Sequence, residues 1–300
     1  MRVLVTGADG QLGWELGNRG KERGLDVVSV DLPDFDITRS SDIQKTVEQT
    51  GASLVINAAA YTAVDQAEKE IDLAYKVNRD GPAYLASVCA AVGIPLIHIS
   101  TDYVFDGDKE SPYLETDPVS PLGAYGRTKA AGEAEVRAGL HEHIILRTAW
   151  LYGVHGNNSV KTMLRLGREK ESLSVVADQY GCPTYAADFA EAILTISEKH
   201  RDNHKLIWGT YHYCGNGMTT WYDFAKQIFK LAKGFDSTGL KEVVPVKTKE
   251  YPTPAKRPAN SVLDCSLFIK NFGVRPRPWK DSLADMIESY YQKKEFTCNS

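Results

Sequence analysis

The sequence predicts an α/β fold, a doubly wound parallel sheet followed by a smaller α+β lobe. Two observations in its first half carry this prediction: short apolar runs alternate strictly with helix-like segments, and a glycine-rich turn follows the first run at once. The composition agrees, because 300 residues with 43% hydrophobic side chains can bury a sizeable core. With typical domains of about 150 residues, the length favours two lobes.

Five strands are predicted where apolar and β-branched residues cluster over short stretches. They cover residues 2–6, 26–30, 54–57, 95–100 and 143–147. The segments between them have helical composition and cover residues 12–24, 41–50, 72–92 and 125–140. Alternation of this kind implies right-handed crossovers, so the strands lie parallel and helices cover both faces of the sheet.

The alternation loosens after Trp150. Helical patterns cover residues 160–170, 186–199, 221–233 and 281–293, and 173–176 has the composition of a strand. We expect residues 1–152 to form the sheet domain, with 173–200 returning to it. Residues 153–172 and 201–295 should form the smaller lobe.

Charge and apolar patterning exclude two classes of partner. Thirty-five Lys and Arg against 39 Asp and Glu leave a net charge of −4, so no basic surplus exists to bind nucleic acid. The uncharged stretch of residues 83–101 is broken at Gly93 and Pro95, which predicts a helix, a turn and a strand rather than a membrane span.

Cysteine usage and the N-terminal residues indicate a cytoplasmic protein. The five cysteines are odd in number, lie far apart and contain no CxxC pair, so neither a disulfide framework nor a zinc site is expected. We expect no signal peptide, because Gly7 and Asp9 break the first apolar run.

The first strand leads directly into a turn with glycines at positions 7, 10 and 13, followed by a helix. Gly7, Gly10 and Gly13 would let the backbone approach a pyrophosphate, whose charge the helix N-terminus stabilises. Asp31 ends the second strand and could accept hydrogen bonds from an adenine ribose, although it could equally be a solvated strand end. This position does not decide between NADH and NADPH. The pattern predicts a Rossmann-type, dinucleotide-binding domain.

Chemically useful side chains follow the third and fourth strands. Small residues, Ala58 and Ala59, end the third strand and would let a ligand lie close to the backbone, although helix packing explains them nearly as well. Thr101 ends the fourth. Tyr125 and Lys129 are four residues apart, so on a helix they share one face. A neighbouring ammonium lowers the pKa of a phenol, which would make Tyr125 a usable acid or base.

This ordered set of motifs resembles the extended short-chain dehydrogenase/reductase superfamily and, within it, the dTDP-4-dehydrorhamnose reductase family. The segments that carry the finer resemblance are NAAAYTAVD (57–65), STDYVF (100–105), RTAW (147–150), GNN (156–158), DQYGCPT (178–184) and YPTPAKRP (251–258). The resemblance covers residues 1 to about 279 and implies reduction of the C4 ketone of dTDP-4-dehydro-L-rhamnose by NADPH or NADH.

The resemblance also implies residue roles. Tyr125 would protonate the C4 alkoxide, Lys129 would hold the nicotinamide ribose and tune the tyrosine, and Thr101 would assist by hydrogen bonding. Further cofactor contacts would come from Gln11, Leu12, Asp31, Asp36, Ile37, Ala60 and Thr62, beside the glycines and alanines already named. Substrate contacts would come from Thr101, Asp102, Trp150 against the deoxysugar, Asn158, and Arg257 on the diphosphate. Core packing is the alternative for Trp150, and an exposed basic residue the alternative for Arg257.

Two departures from the family pattern bear on partners. Gly123 stands where the family often has Asn, which should affect entry into the helix. Some members form homodimers through Mg²⁺ held by glutamates; Glu15 could serve here, but Ala187 stands near the expected second ligand, which argues against Mg²⁺. His200 and His204 lack a third ligand, so no metal is expected.

Two alternatives to this reductase remain. One is a reductase or epimerase of another nucleotide-sugar on the same fold. The other is a non-catalytic regulatory Rossmann subunit, against which the set of Thr101, Tyr125 and Lys129 argues.

Overall fold

The computed structural model describes residues 1–236 and 239–298, and the side chains as far as Lys293. Its centre is a six-stranded parallel sheet in the order β10-β5-β4-β3-β1-β2. The strands are β1 (Arg2–Thr6), β2 (Asp26–Val30), β3 (Leu54–Asn57), β4 (Leu96–Thr101), β5 (His143–Thr148) and β10 (Gly209–His212). The first five confirm the predicted strands to within one residue at each end.

Helices cover both faces of this sheet, as predicted for a doubly wound fold. On one face α1 and α8 pack against the sheet through Leu12, Leu16, Phe189 and Ile193. The other face is covered by α2, α5 and α6, through side chains that include Ile43, Leu85 and Val136. The helices of this domain are α1 (Gln11–Glu22), α2 (Ser40–Thr50), α3 (Val64–Ala67), α4 (Ile71–Tyr75), α5 (Gly81–Val92), α6 (Ala124–Gly139) and α8 (Ala186–Arg201).

The helix predicted over residues 72–92 is confirmed, with one irregularity in its middle. A π-helical turn, Lys76–Asp80, joins α4 to α5. Within that turn the Asn78 side chain accepts from Tyr61 N at 2.9 Å and donates to Tyr61 O at 3.1 Å. Such turns occur mostly as short insertions in helices. Here the π-helical turn positions the side-chain amide of Asn78, whose two hydrogen bonds hold the loop after β3 at Tyr61.

The smaller lobe packs beside the carboxyl ends of the strands. Its core joins Leu164, Phe224, Ile228, Leu283 and Met286. Its elements are β6 (Leu151–Tyr152), α7 (Ser159–Glu169), β7 (Ser172–Val176), β8 (Tyr180–Gly181), β9 (Thr184–Tyr185), β11 (Thr219–Thr220), α9 (Trp221–Ala232), β12 (Glu242–Val246) and α11 (Trp279–Cys298). The helix between β12 and α11, α10 (Ser266–Phe272), packs on the sheet domain. In the part of the chain that the structure describes, no helix has the length and apolar character needed to cross a bilayer.

Two strands belong to a different domain from the one predicted for their residues. β7 pairs with β12, so residues 172–176 belong to the smaller lobe, although α8 does return to the sheet domain. Conversely, β10 extends the main sheet from a segment assigned to the lobe, and Phe268 and Phe272 of α10 join the sheet core. Local composition cannot reveal this exchange, because it identifies a strand without identifying the strand's partner.

We predict that Gly13→Ala destabilises the protein far more than Gly17→Ala on the same helix. A β-carbon on Gly13 would lie 2.1 Å from the carbonyl oxygen of Gly7, whereas one on Gly17 would lie 3.0 Å from the movable Ser29 hydroxyl. Overpacking against backbone costs about 1–3 kcal/mol, and the higher helix propensity of Ala contributes about 1 kcal/mol in the other direction. Urea unfolding of the two variants measures the change in the free energy of unfolding for each. Equal changes would contradict the prediction.

Candidate active site

A cleft of about 790 Å³ runs along the carboxyl ends of β1, β3 and β4 and is closed by the smaller lobe. This volume lies in the range typical of small-molecule sites. Most of the predicted site residues line it: Gly7, Gly10, Gln11, Leu12, Asp31, Asp36, Ile37, Ala58, Ala59, Ala60, Thr62, Thr101, Asp102, Tyr125, Lys129, Trp150 and Asn158. Gly13 lies behind the turn and Arg257 lines an adjacent cavity.

The glycine turn is shaped by close backbone contacts. Gly7 has φ +74°, and a β-carbon there would lie 2.5 Å from Ala59 N, so only glycine fits. Asn57 fixes the facing loop: its amide oxygen accepts from the Thr6 hydroxyl at 2.8 Å and from Ala59 N at 3.1 Å. With the start of α1 directed at the cleft, the turn forms a cradle suited to a pyrophosphate.

Two carboxylates at the far end of the cleft are held by backbone amides. Asp31 accepts from Asp9 N and from Leu32 N, each at 2.8 Å. Asp36 accepts from the backbone N and hydroxyl of Thr38, which lower its pKa against the opposing effect of burial. Both side chains are therefore oriented before any ligand arrives.

Helix α6 carries Tyr125 and Lys129 to the end of β4. The helix begins after Gly123, and Ala124 N donates to the Glu68 carboxylate at 2.7 Å. A β-carbon on Gly123 would approach this carboxylate to 2.7 Å. Glu68 thus satisfies an amide at the start of the helix, next to Gly123, and Tyr125 is the second residue of that helix.

The predicted lowering of the Tyr125 pKa is wrong, because this pKa is raised. Burial raises the pKa of Tyr125 to about 12; the Thr101 hydroxyl lowers this pKa and Asp102 raises it. Burial also lowers the pKa of Lys129 to about 8, with Glu133 opposing the shift. The Lys129 ammonium donates to Ile99 O at 2.6 Å. Burial is the largest influence on the phenol, so Tyr125 keeps its proton at neutral pH and can donate it.

A buried ion pair anchors α6 one turn beyond Lys129. Glu133 and Arg147 are almost fully buried and form two parallel hydrogen bonds, at 2.8 and 2.7 Å. The Ser100 hydroxyl donates to the same Glu133 carboxylate at 2.5 Å. This arrangement joins α6 to β4 and β5 and so sets the distance between Tyr125 and Thr101.

Asp102 is a buried carboxyl beside the catalytic candidates. It is 1% exposed and accepts from the Thr101 hydroxyl at 2.9 Å through Oδ1. Its Oδ2 has no hydrogen-bond partner among the described residues. Burial raises the pKa of Asp102 to about 6, against the lowering effect of the Ser261 and Thr101 hydroxyls. Asp102 therefore lines the cleft as a buried carboxyl, one oxygen of which makes no hydrogen bond within the described part of the chain.

Trp150 is stacked against a second indole. Its φ of 47° is the strained left-handed conformation, rare for a bulky residue. The ring lies parallel to that of Trp221, with 3.7 Å between the centroids and 11° between the planes. The backbone of Gly181 lies against the same indole. One face of Trp150 is therefore covered by Trp221.

Arg257 is held by a carboxylate of the sheet domain. It forms two hydrogen bonds with Asp65, at 2.8 and 3.2 Å, and Asp65 also accepts from Ala255 N at 3.1 Å. The Arg257 guanidinium holds the pKa of Asp65 below its usual value. The cavity beside Arg257 measures about 250 Å³ and is lined mainly by apolar residues, with Trp221 at its junction with the cleft.

The Asn158 side chain forms its hydrogen bonds within the protein. Its amide nitrogen donates to Gln11 Oε1 at 3.1 Å and to Gly153 O at 2.7 Å, and its oxygen caps α7 through Lys161 N. Both donors are used, so the side chain links the glycine turn to the smaller lobe. The predicted substrate contact would have to use the remaining lone pair of its oxygen.

Comparison with known proteins accounts for this arrangement. The chain matches the family model described as RmlD substrate binding domain over residues 1–292. The dTDP-4-dehydrorhamnose reductase of Aggregatibacter actinomycetemcomitans is 43% identical over 289 residues, covering 95% of this chain and 98% of that one. The chain belongs to the RmlD substrate binding domain family. This confirms the family resemblance found in the sequence.

Solved structures of similar proteins agree with the membership in the RmlD family. A dTDP-4-dehydrorhamnose reductase of Clostridium acetobutylicum superposes with a TM-score of 0.89 at 43% identity, covering 96% of this chain and 99% of that one. The Bacillus anthracis reductase of the same name, solved in complex with NADP, gives a TM-score of 0.88 at 40% identity and the same coverage.

Three residues of this RmlD-family chain were not assigned a role from sequence. Asp65 lies inside a recognised motif, but its partner Arg257 is 192 positions away. Trp221 was visible only as the first residue of an amphipathic helix. Glu133 stands four positions after Lys129, and that spacing is the one signal that could have drawn attention to it.

Glu15 is the glutamate that was considered above as a ligand for Mg²⁺. Its carboxylate pairs with Arg19 at 2.7 Å and is almost fully buried. Among the described residues, no group of three His, Cys, Asp or Glu side chains could hold a metal ion.

We predict that Asp102→Asn stabilises the protein increasingly as the pH rises. The raised pKa of about 6, against an ordinary 3.8, means that the folded state binds this proton more tightly than the unfolded state. Ionisation therefore costs stability between about pH 4 and 7, up to about 3 kcal/mol. Urea unfolding of both proteins across this range measures the difference.

Asp106→Asn is the matched control with the opposite sign. The Tyr113 hydroxyl lowers the pKa of Asp106, so this substitution should destabilise the protein above about pH 4. If the Asp102→Asn difference stayed constant with pH, the buried carboxyl would not be the cause.

Proposed function

We propose that the protein reduces the C4 ketone of dTDP-4-dehydro-L-rhamnose to dTDP-L-rhamnose with NAD(P)H, for synthesis of rhamnose-containing polysaccharide. The observation that carries the proposal is that Thr101, Tyr125 and Lys129 line one dinucleotide-sized cleft together. It occurs in a chain 43% identical to a reductase of this name over nearly its whole length.

The cleft fits a nicotinamide dinucleotide. Gly7 and Gly10 leave room for its pyrophosphate at the start of α1, and Asp31 stands where a ribose would be bound. Bound there, the reduced cofactor supplies a hydride to the ketone carbon. Among the described residues, the Lys129 ammonium has a hydrogen bond to one backbone carbonyl, which leaves it further donors for the nicotinamide ribose.

Tyr125 completes the reduction by giving its proton to the ketone oxygen. Its raised pKa keeps the phenol protonated until negative charge develops on that oxygen. Thr101, which lowers the pKa of Tyr125, would hydrogen-bond to the same oxygen. The Lys129 ammonium, buried one helical turn away, would stabilise the resulting phenolate.

The substrate would extend from the cleft into the adjacent cavity. Its sugar would lie against Thr101, Asp102 and Tyr125, and its nucleoside would enter the apolar cavity of about 250 Å³. Arg257 borders that cavity as a two-pronged cation, already oriented by Asp65, and would bind the diphosphate.

The small-molecule partner in this proposal is a nucleotide-sugar. We further propose that the enzyme works in the cytoplasm, which agrees with the free thiols of its four described cysteines. We also propose that the protein can form a homodimer, as some members of the family do.

We predict that Tyr125→Phe folds and binds dinucleotide but loses about 100- to 10,000-fold in turnover, the usual contribution of a general acid. The assay supplies enzymatically made dTDP-4-dehydro-L-rhamnose and follows NADPH and NADH oxidation separately. Tyr84→Phe, on the exposed side of α5, is the matched control. Absence of turnover by the unaltered enzyme with either cofactor would refute the reaction, and an unchanged rate for Tyr125→Phe would refute the role of the phenol.

We also predict that Trp221 forms the aromatic wall that the substrate contacts. Trp221→Ala should raise the KM of the nucleotide-sugar about tenfold, because it removes both the ring and its stacking on Trp150. The Kd of the dinucleotide should stay unchanged. Titration of dTDP should alter indole fluorescence in the enzyme and in Trp208→Phe, but much less in Trp221→Phe. If Trp221→Ala had the same KM for the nucleotide-sugar as the unaltered enzyme, contact between Trp221 and the substrate would be excluded.

A further inference from the structure

Three cysteines that are far apart in sequence meet beside the substrate end of the cleft. Cys182, Cys214 and Cys265 belong to one apolar cluster, which also contains Phe105 and touches Trp150. The sulfur atoms of Cys214 and Cys265 are 3.6 Å apart. Both thiols point to the carbonyl oxygen of Leu263, at 3.7 and 4.0 Å. The two sulfur atoms are thus in contact, and both thiols are directed at the same carbonyl oxygen.

We propose that Cys214 and Cys265 form a reversible dithiol–disulfide pair whose oxidation weakens the neighbouring catalytic site. A disulfide needs a sulfur–sulfur distance of about 2.05 Å, so the two atoms must approach by about 1.5 Å. Cys265 is partly exposed and Cys214 is buried, so an oxidant reaches Cys265 first. Cys214 then stands ready as the resolving thiol.

The chemistry uses a peroxide as oxidant. The Cys265 thiol loses its proton and the thiolate attacks one peroxide oxygen. The O–O bond breaks to give a sulfenic acid and hydroxide, which takes up that proton as the first water. The Cys214 sulfur then attacks the sulfenic sulfur, the S–O bond breaks, and a second water leaves with the Cys214 proton. Two thiols and one hydrogen peroxide give one disulfide and two waters. An external dithiol reverses the oxidation by exchange.

The chain around Cys265 connects this pair to the catalytic side chains. Val262 O accepts from Tyr113 N at 2.8 Å, and Ser261 N donates to Tyr180 O at 2.8 Å. The Ser261 hydroxyl acts on the pKa of Asp102. The same apolar cluster holds Phe105, which directly follows the turn Asp102–Val104, and it packs against Trp150. A displacement of Cys265 would therefore act on Asp102 and Trp150 through this cluster.

The third thiol, Cys182, acts from the other side of the cluster. It follows Gly181, whose backbone lies against Trp150. Its position makes it the competing partner for Cys214, so a bond between Cys182 and Cys214 is the principal alternative outcome of oxidation.

Peptide mapping tests the bond directly. The full-length enzyme is treated with excess hydrogen peroxide, free thiols are blocked, and digestion without reductant should yield a linked peptide containing Cys214 and Cys265. Dithiothreitol should release it. Cys265→Ser should abolish the linkage, whereas Cys89→Ser, at a buried site in α5, should leave it intact. A peptide linked through Cys182, or no linkage, overturns the pair.

Activity tests the coupling separately. Because a displacement of about 1 Å at a catalytic site can cost about 100-fold in rate, oxidation should lower kcat/KM about tenfold and dithiothreitol should restore it. Cys265→Ser should have the reduced enzyme's activity before and after peroxide. If the linked peptide forms but kcat/KM is unchanged, the coupling is refuted. These outcomes differ from failure of the proposed reaction, which would appear as absence of turnover in the reduced enzyme.

Discussion

The candidate site depends on the buried ion pair between Glu133 and Arg147. Two charges that are almost fully removed from water must be paired, because an isolated buried charge costs several kcal/mol. The pair joins α6 to β5, and Ser100 adds β4 to the same carboxylate. Since Tyr125 and Lys129 lie on the same helix, their position over the end of β4 follows from this attachment.

Desolvation then determines the chemistry at that position. Lys129 is buried and Tyr125 is partly buried. Each shifts toward its neutral form, because the pKa of the phenol rises to about 12 and that of the ammonium falls to about 8. Asp102 responds in the same direction, with its pKa raised to about 6. A protonated phenol beside a hydrogen-bonding Thr101 is poised to donate a proton, which is the state that ketone reduction requires.

The smaller lobe completes the cleft through contacts between distant parts of the chain. Arg257 is fixed by Asp65, and Asn158 joins α7 to Gln11 in the glycine turn. Trp221 covers one face of Trp150 at the junction of the two cavities. The dinucleotide and the substrate would therefore meet between two lobes that are already connected, with the apolar cluster around Cys214 packed beneath them.

The sequence by itself determined the parallel sheet, the glycine turn, the Tyr125–Lys129 spacing and the family, because each depends on residues close together in the chain. The tertiary structure decided which strands pair: β10 joins the main sheet and β7 leaves it. It also decided the sign of the Tyr125 pKa shift and the partners of Arg257, Trp150 and Cys214. Burial and contacts across up to 192 positions set these features, and neither is encoded in local composition.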